Sequence, residues 1–166
     1  MASISTRSSG VNGRVIAADS TGTLRAAVTR PALNLDRGPW AEMVAHAYDG
    51  LPLEACGLLA GPLGRDAVTA FYPCRNAEAS SRIYTVHPQD HLRADRDAED
   101  RGLAIVGVMH SHTHTEAYPS PTDVAQAPDP DWHYLIVSLR QPEPVVRSYR
   151  IVDGNIDEES VVLIDR

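Results

Sequence analysis

The feature that most constrains this sequence is a continuous apolar run from Leu103 to Met109, which leads directly into His110-Ser111-His112. Such a run is typical of a central strand that is buried on both faces of a sheet. Because successive strand residues point to opposite faces, His110 and His112 would share one side and Ser111 would face the other. The sequence therefore predicts a layered fold that brings two imidazoles to one point at the end of a central strand.

The remaining pattern predicts a mixed α/β domain of the α+β kind, in which one mixed β-sheet is flanked by one or two helices. A helix capped by Asp36 is expected at residues 39–48, and a densely charged helix with Leu92 among its few apolar anchors at 88–101. The proline-rich segment 118–130 is expected to be mostly loop, with one short helix at 122–126. Strands are expected at residues 32–35, 55–60, 67–72, 103–109, 134–139, 145–152 and 161–164.

The chain has 166 residues, enough for one domain with a sizeable core. Residues 1–30 are rich in Ser, Thr, Gly, Ala and Arg. This composition is typical of a flexible N-terminal extension, or of a weakly attached first strand. The domain itself is expected to occupy residues 31–166.

Composition excludes several functional classes. All 15 basic residues are arginine, so no lysine is available for Schiff-base chemistry. The net charge of -7 argues against general binding of nucleic acid, which requires a basic face. No apolar run approaches a membrane span and the N-terminus lacks the apolar core of a secretory signal, so we expect no membrane association and a cytoplasmic location. Cys56 and Cys74 form no CxxC pair, which argues against a cysteine-based metal site.

Two imidazoles and a carboxylate are the ligands of many catalytic zinc sites, which keep one position open for water. His110 and His112 supply the imidazoles, and the turn forced by Pro119 and Pro121 could return Asp123 to the strand end. We favour Asp123 as the third ligand. The alternative is a capping box in which Asp123 pairs with Ser120 at the start of a short helix. A capping Asp123 would face its own backbone, whereas a ligand would face the histidines.

Glu54 begins a buried-looking strand, where an unpaired carboxylate is costly, and this cost points to a function. It could accept a proton from water activated by the metal and pass it to a leaving amine. Ser120 could donate a hydrogen bond to the oxyanion of a tetrahedral intermediate. His114 is expected to be a loop residue near the substrate, with Glu116 and Tyr118 as weaker candidates for substrate contact.

This constellation resembles the signature of the JAMM (MPN+) metalloprotease family, in which a glutamate precedes His-x-His, seven residues, Ser, two residues and Asp. The resemblance implies a cytidine deaminase-like domain with a sheet flanked by helices. It also implies that His110, His112 and Asp123 bind zinc, that Glu54 is the general base and acid, and that Ser120 stabilises the oxyanion.

The segments Glu54–Pro62, His110–Thr113, Thr115–Ser120 and Arg147–Gly154 are similar to the bacterial Mec-type branch of that family, which acts on the sulfur carrier protein CysO in cysteine biosynthesis. This resemblance covers the chain from about Ala32 onward. Many members, including eukaryotic deubiquitinases, have proline after the second histidine, where this chain has Thr113. We also expect the chain to be too short to hold the large insertions of polyubiquitin-specific members, and both departures favour a bacterial carrier.

The sequence thus predicts a zinc peptidase that hydrolyses the amide after the C-terminal Gly-Gly of a ubiquitin-like sulfur carrier, to release cysteine or to trim extra residues. The alternatives are a non-catalytic MPN scaffold or carrier-binding module, a deubiquitinase-like isopeptidase, and a metal-dependent hydrolase of a small molecule. A homodimer is compatible with all of them.

Overall fold

The structure is a computed structural model that describes residues 16–18, 24–26 and 32–165. The chain divides between Arg30 and Pro31 into two units. In the first unit, strand β1 (Ile16–Ala18) pairs antiparallel with strand β2 (Leu24–Ala26). Most of the extension predicted for residues 1–30 lies outside the described residues.

The second unit combines helices with two β-sheets, where the sequence predicted a single sheet. Its helices are α1 (Arg37–Asp49), α2 (Pro88–Asp100) and α3 (Pro121–Ala125). Its strands are β3 (Leu33–Asp36), β4 (Cys56–Gly61), β5 (Ala67–Val68), β6 (Ala70–Cys74), β7 (Ala104–His112), β8 (His133–Ser138), β9 (Val145–Val152), β10 (Asn155–Glu159) and β11 (Val161–Ile164). The larger sheet has the order β10-β9-β8-β7-β4-β6, and the smaller has the order β11-β3-β5. The apolar run before His110 is a central strand, as predicted.

The observed strands differ from the prediction in two places. The strand expected at 67–72 is split, because β5 pairs with β3 in the small sheet whereas β6 pairs with β4 in the large one. Thr69 lies between the two halves and donates its backbone N–H to the carbonyl of Ala60 at 2.9 Å. Strand β10 was not predicted, because Asn155–Glu159 is charged and forms an edge strand without an apolar run.

The large sheet separates two cores, and alternate residues of its strands face each of them. Met109 and Leu135 point into a core shared with α1 and the small sheet. Val108 and Ile136 point into the second core, to which α2 contributes Ala94. A Cβ atom at Gly107 would lie 2.2 Å from the carbonyl oxygen of His133, so glycine is required where β7 and β8 approach. The alternation of strand residues between the two cores also determines the face of the sheet on which the histidines of β7 lie.

Helix α2 packs on the sheet through small residues rather than through Leu92. The side chain of Leu92 is 51% exposed, which contradicts its prediction as an anchor, whereas Ala94 and Ala98 are buried. Asp90 is also buried on this helix and pairs with Arg75 at 2.9 Å. Among the helices that the structure describes, none is long and apolar enough to span a membrane.

Candidate active site

Strand β7 places His110 and His112 on one face of the large sheet. Both continue the side occupied by Val108, and Ser111 points to the opposite side, as the period of a strand requires. The Nε2 atoms of the two histidines lie 3.0 Å apart, and both side chains are buried. The sequence prediction that the two imidazoles converge is therefore confirmed.

Helix α3 brings Asp123 to the same point. Its Oδ2 atom lies 3.4 Å from Nε2 of His110 and 3.5 Å from Nε2 of His112. The same oxygen accepts the backbone N–H of Ser120 at 2.7 Å, and the Ser120 hydroxyl accepts the N–H of Asp123 at 3.2 Å. Asp123 therefore closes a capping box and faces the histidines at once, so the two alternatives raised by the sequence coexist.

The three side chains fit a tetrahedral metal. Ligands about 2.0–2.2 Å from such a centre lie about 3.2–3.6 Å from one another. The two histidine–aspartate separations fall in this range, and the 3.0 Å between the imidazoles is slightly shorter. The Nδ1–H of His112 donates to the carbonyl of Glu116 at 2.7 Å, which leaves the lone pair on Nε2, the atom aimed at the other donors.

Electrostatics keep the Asp123 carboxylate ionised. Burial alone would raise its pKa, but the adjacent imidazoles of His110 and His112 and the hydrogen bond from Ser120 outweigh burial and hold the pKa well below its usual range. An anionic oxygen beside two imidazole nitrogens is the donor set that a borderline cation such as zinc prefers.

Glu54 lies beside these residues because of the register between β4 and β7. Cys56 pairs with His110 in this antiparallel ladder, so the same register carried two residues further places Glu54 opposite His112. The Glu54 side chain is buried, and its backbone N–H donates to the carbonyl of Ser80 at 2.9 Å. Burial raises the pKa of Glu54 to about 7, although His112 opposes this shift and Asp123 adds to it. A carboxyl group with this pKa can exchange protons near neutral pH.

Glu54, His112 and Ser120 line one cleft of about 570 Å³. All five residues predicted for the site therefore lie together, as three convergent donors and two side chains in the adjoining cleft. His114 also lines the cleft and is exposed, in agreement with its prediction as a loop residue.

The weaker candidates have mostly structural contacts. The Glu116 side chain pairs with Arg140, and the ring of Tyr118 packs edge-on against Tyr149. His133 is buried and bonds Glu159 at 2.6 Å through Nδ1, which indicates a structural role.

Cys56 is buried beside the site and is a free thiol. Burial raises the pKa of this thiol to about 12, which keeps it protonated and argues against a nucleophilic role.

Sequence reasoning missed Tyr84, whose ring stacks on His110 with centroids 4.4 Å apart and an interplanar angle of 18°. It also missed the role of Ser111, whose hydroxyl accepts a hydrogen bond from the segment that carries Glu54. Tyr84 lies in a loop without periodicity, so no sequence pattern indicated it.

Residues 38–152 match the family model for prokaryotic homologs of the JAB domain, and this match covers more than half of the chain. The chain belongs to the prokaryotic JAB family. This confirms the resemblance to JAMM proteins and the expected fold class.

Similarities to individual proteins support this assignment. The CysO-cysteine peptidase of Mycobacterium tuberculosis is 48% identical over 125 residues, which cover 75% of this chain and 86% of that protein. The desampylase of Haloferax volcanii is 34% identical over 116 residues, which cover 67% of this chain and 84% of that protein. A solution structure of a protein from Desulfitobacterium hafniense has a TM-score of 0.74 and 38% identity, and covers 80% of this chain and 93% of its own. The chain is a JAB-family peptidase.

Proposed function

We propose that this peptidase uses zinc to hydrolyse the amide bond after the C-terminal Gly-Gly of a ubiquitin-like sulfur carrier protein. The products would be the carrier and either cysteine or a short stretch of extra C-terminal residues. The observation that carries the proposal is the convergence of His110, His112 and Asp123 beside the buried carboxyl group of Glu54. The similarity to a CysO-cysteine peptidase over 75% of the chain supports a carrier as the substrate.

The metal would be held by His110, His112 and Asp123. When bound there, zinc would lower the pKa of a water molecule and polarise the scissile carbonyl. The chain's own residues arrange these ligands, since the Glu116 carbonyl fixes the tautomer of His112 and the Ser120 N–H orients Asp123.

Glu54 would move the proton. Its raised pKa near 7 lets it accept a proton from water and then deliver that proton to the leaving amine within one catalytic cycle. Ser120 would stabilise the oxyanion. Its hydroxyl oxygen accepts the N–H of Asp123, and among the described residues no acceptor takes the hydroxyl hydrogen, which can therefore be donated to substrate.

The test is cleavage of a purified ubiquitin-like sulfur carrier that ends in Gly-Gly-Cys, followed by intact-protein mass spectrometry. Zinc-loaded wild-type protein should remove one cysteine residue. Glu54→Gln should retain stoichiometric zinc but lose at least about 100-fold in rate, because the proton carrier is gone. Glu99→Gln, at an exposed position of α2, is the matched control and should cleave like the wild type.

Three outcomes would contradict the proposal. Cleavage by Glu54→Gln at the wild-type rate would refute the proton-transfer role. Wild-type protein that is purified without stoichiometric zinc and cleaves no carrier would favour a scaffold. A conjugate joined through a lysine side chain, cleaved in preference to the C-terminal extension, would indicate an isopeptidase instead, the activity class that the similarity to a desampylase brings into consideration.

A further inference from the structure

The catalytic cleft has a second wall that the proposed reaction does not use. Besides Glu54, His112 and Ser120, the cleft is lined by Ser81, Arg82, Thr113, His114 and Thr115. This second wall consists entirely of side chains that can donate hydrogen bonds. A site that binds only the diglycine backbone has no need of a guanidinium group at this place.

Arg82 is held close to Glu54 by backbone hydrogen bonds and by the side chains of Asn76 and Ser80. The amide of Asn76 donates to the carbonyl of Glu54 and to the carbonyl of Ile83, both at 3.0 Å. Ser80 accepts the N–H of Glu54 through its carbonyl, and its hydroxyl accepts the N–H of Arg82 at 3.1 Å. The loop that carries Arg82 is therefore bonded to the segment that carries Glu54.

The guanidinium of Arg82 is not used by the fold. Most arginines in residues 32–165 form ion pairs, for example Arg75 with Asp90 and Arg150 with Asp66. No carboxylate of the described residues pairs with Arg82, and Arg82 lines the cleft. An unpaired guanidinium in a catalytic cleft is suited to bind a carboxylate, which matches its planar pair of N–H donors.

Thr113 provides an independent indication. Thr113 is only 6% exposed, and its Oγ1 has no hydrogen-bond partner within the described part of the chain. Thr113 directly follows the metal-binding His112 and lines the same cleft as Arg82. A buried hydroxyl without a partner gains more from a ligand group than a solvated one does. Its hydrogen can be donated to an oxygen that enters the cleft.

We infer that Arg82 and Thr113 bind the free α-carboxylate of the residue that is cleaved from the carrier. This inference rests on the proposed function and specifies its substrate as a carrier extended by one C-terminal residue. In an isopeptide conjugate the leaving amine belongs to a lysine side chain, which bears no carboxylate next to the scissile bond. The wall formed by Arg82 and Thr113 thus selects C-terminal trimming over cleavage of protein conjugates.

Charge balance in the cleft supports this assignment. Glu54 and Asp123 place acidic groups next to the scissile bond, so a guanidinium in the same cleft favours the approach of a substrate carboxylate. Arg82 is the arginine that lines this cleft, beside the imidazoles of His112 and His114. Loss of the Arg82 charge should therefore weaken acidic substrates selectively.

The experiment compares two carriers that differ only at the last group, one ending in Gly-Gly-Cys with a free carboxylate and one ending in the corresponding carboxamide. Wild-type protein should prefer the free acid by about 10- to 100-fold in kcat/KM, the range for a hydrogen bond to a charged group. Arg82→Gln should lose this preference by slowing the acid and not the amide, and Arg82→Lys should restore part of it. Thr113→Val should reduce the preference to a smaller extent. Arg96→Gln, an exposed arginine of α2, is the matched control.

The outcomes separate the two hypotheses. Equal cleavage of acid and amide by the wild type would overturn the inference and leave the proposed function intact. An equal loss on both substrates in Arg82→Gln would assign Arg82 a structural role and also overturn the inference. Failure of zinc-loaded wild type to cleave either carrier would contradict the proposed function, and the inference would fall with it.

Discussion

The hydroxyl of Ser111 accepts a hydrogen bond of 2.8 Å from the backbone N–H of Ala55. In return, the N–H of Ser111 donates to the carbonyl of Ala55 at 2.9 Å. Ser111 lies between the two histidines of β7, and Ala55 follows Glu54. One serine therefore connects the metal-binding strand to the segment that presents the acid–base group.

We predict that Ser111→Ala reduces kcat while zinc affinity stays within about 3-fold of the wild type. The buried N–H of Ala55 would lose its side-chain partner, at a cost of about 1–3 kcal/mol in the free energy of unfolding. Displacement of Glu54 should lower kcat by about 10- to 100-fold, because small errors in catalytic geometry are costly. Ser111→Thr keeps the hydroxyl and should recover much of the loss. A fall in zinc affinity that accounts for the whole loss of activity would argue against this role.

The stacking of Tyr84 on His110 predicts a contribution to metal binding. The ring limits rotation of the imidazole, and aromatic contacts of this kind contribute about 0.5–1.5 kcal/mol. Tyr84→Ala should weaken zinc affinity about 10-fold in a competition assay with a chromophoric chelator. Tyr84→Phe preserves the ring and should bind zinc within about 3-fold of the wild type. Equal affinities of the Phe and Ala variants would show that the ring does not position His110.

The centre of the fold and the site were predictable because both depend on local patterns. The strand before His110 is buried on both faces, so its sequence is a continuous apolar run without polar residues. The two-residue period of a strand then determined where the histidines point. Asp123 and Ser120 were recognisable because a capping box needs fixed spacing.

The features that escaped prediction depend on tertiary contacts. Strand β10 is an edge strand whose side chains are mostly charged, so it lacks the alternation that identifies half-buried strands. Leu92 is exposed because α2 turns its alanines to the sheet. Arg82 has no distinguishing neighbours in the sequence, and only folding brings it to the same cleft as Glu54 and Thr113.

Glu159 provides a prediction about stability. Its buried carboxylate accepts hydrogen bonds from His133 at 2.6 Å, from Ser148 at 2.7 Å and from Arg150 at 3.2 Å. Glu159→Gln should lower the free energy of unfolding by about 3 kcal/mol, since removal of one charged partner leaves the others buried. Glu158→Gln, the adjacent half-exposed carboxylate, pairs with Arg147 at 3.5 Å and should cost less than about 1 kcal/mol. Chemical denaturation at pH 7 measures both, and equal losses would contradict the prediction.

The same carboxylate sets a pH dependence. Burial alone would raise the pKa of Glu159, but hydrogen bonds from His133 and Ser148 and the charge of Arg150 hold it below the ordinary value of 4.5. The ionised form therefore stabilises the fold above about pH 4.5, and this contribution is lost as the pH falls through the lower folded-state pKa. The stability difference between wild type and Glu159→Gln should be full at pH 7 and should shrink in acid. A difference that grows as the pH falls would have the wrong sign.

The double role of Asp123 can be resolved because its two functions need different chemistry. Capping requires only an oxygen that accepts the Ser120 N–H, which an asparagine can supply, whereas the metal requires an anionic donor. Asp123→Asn should therefore change the free energy of unfolding of the metal-free protein by less than about 1 kcal/mol. Its zinc affinity should fall more than about 100-fold, since a direct ligand contributes more than the groups that orient ligands.

Ser120→Ala is the converse variant. It removes the hydroxyl half of the capping box and leaves the carboxylate, so the metal-free protein should lose about 1 kcal/mol of stability. Zinc affinity should stay within about 3-fold of the wild type, because the three metal donors, His110, His112 and Asp123, are unchanged. Thermal unfolding without metal and zinc titration of both variants measure the two roles separately. If Asp123→Asn bound zinc as tightly as the wild type, the carboxylate would be a helix cap only, and the metal would have to be held without it.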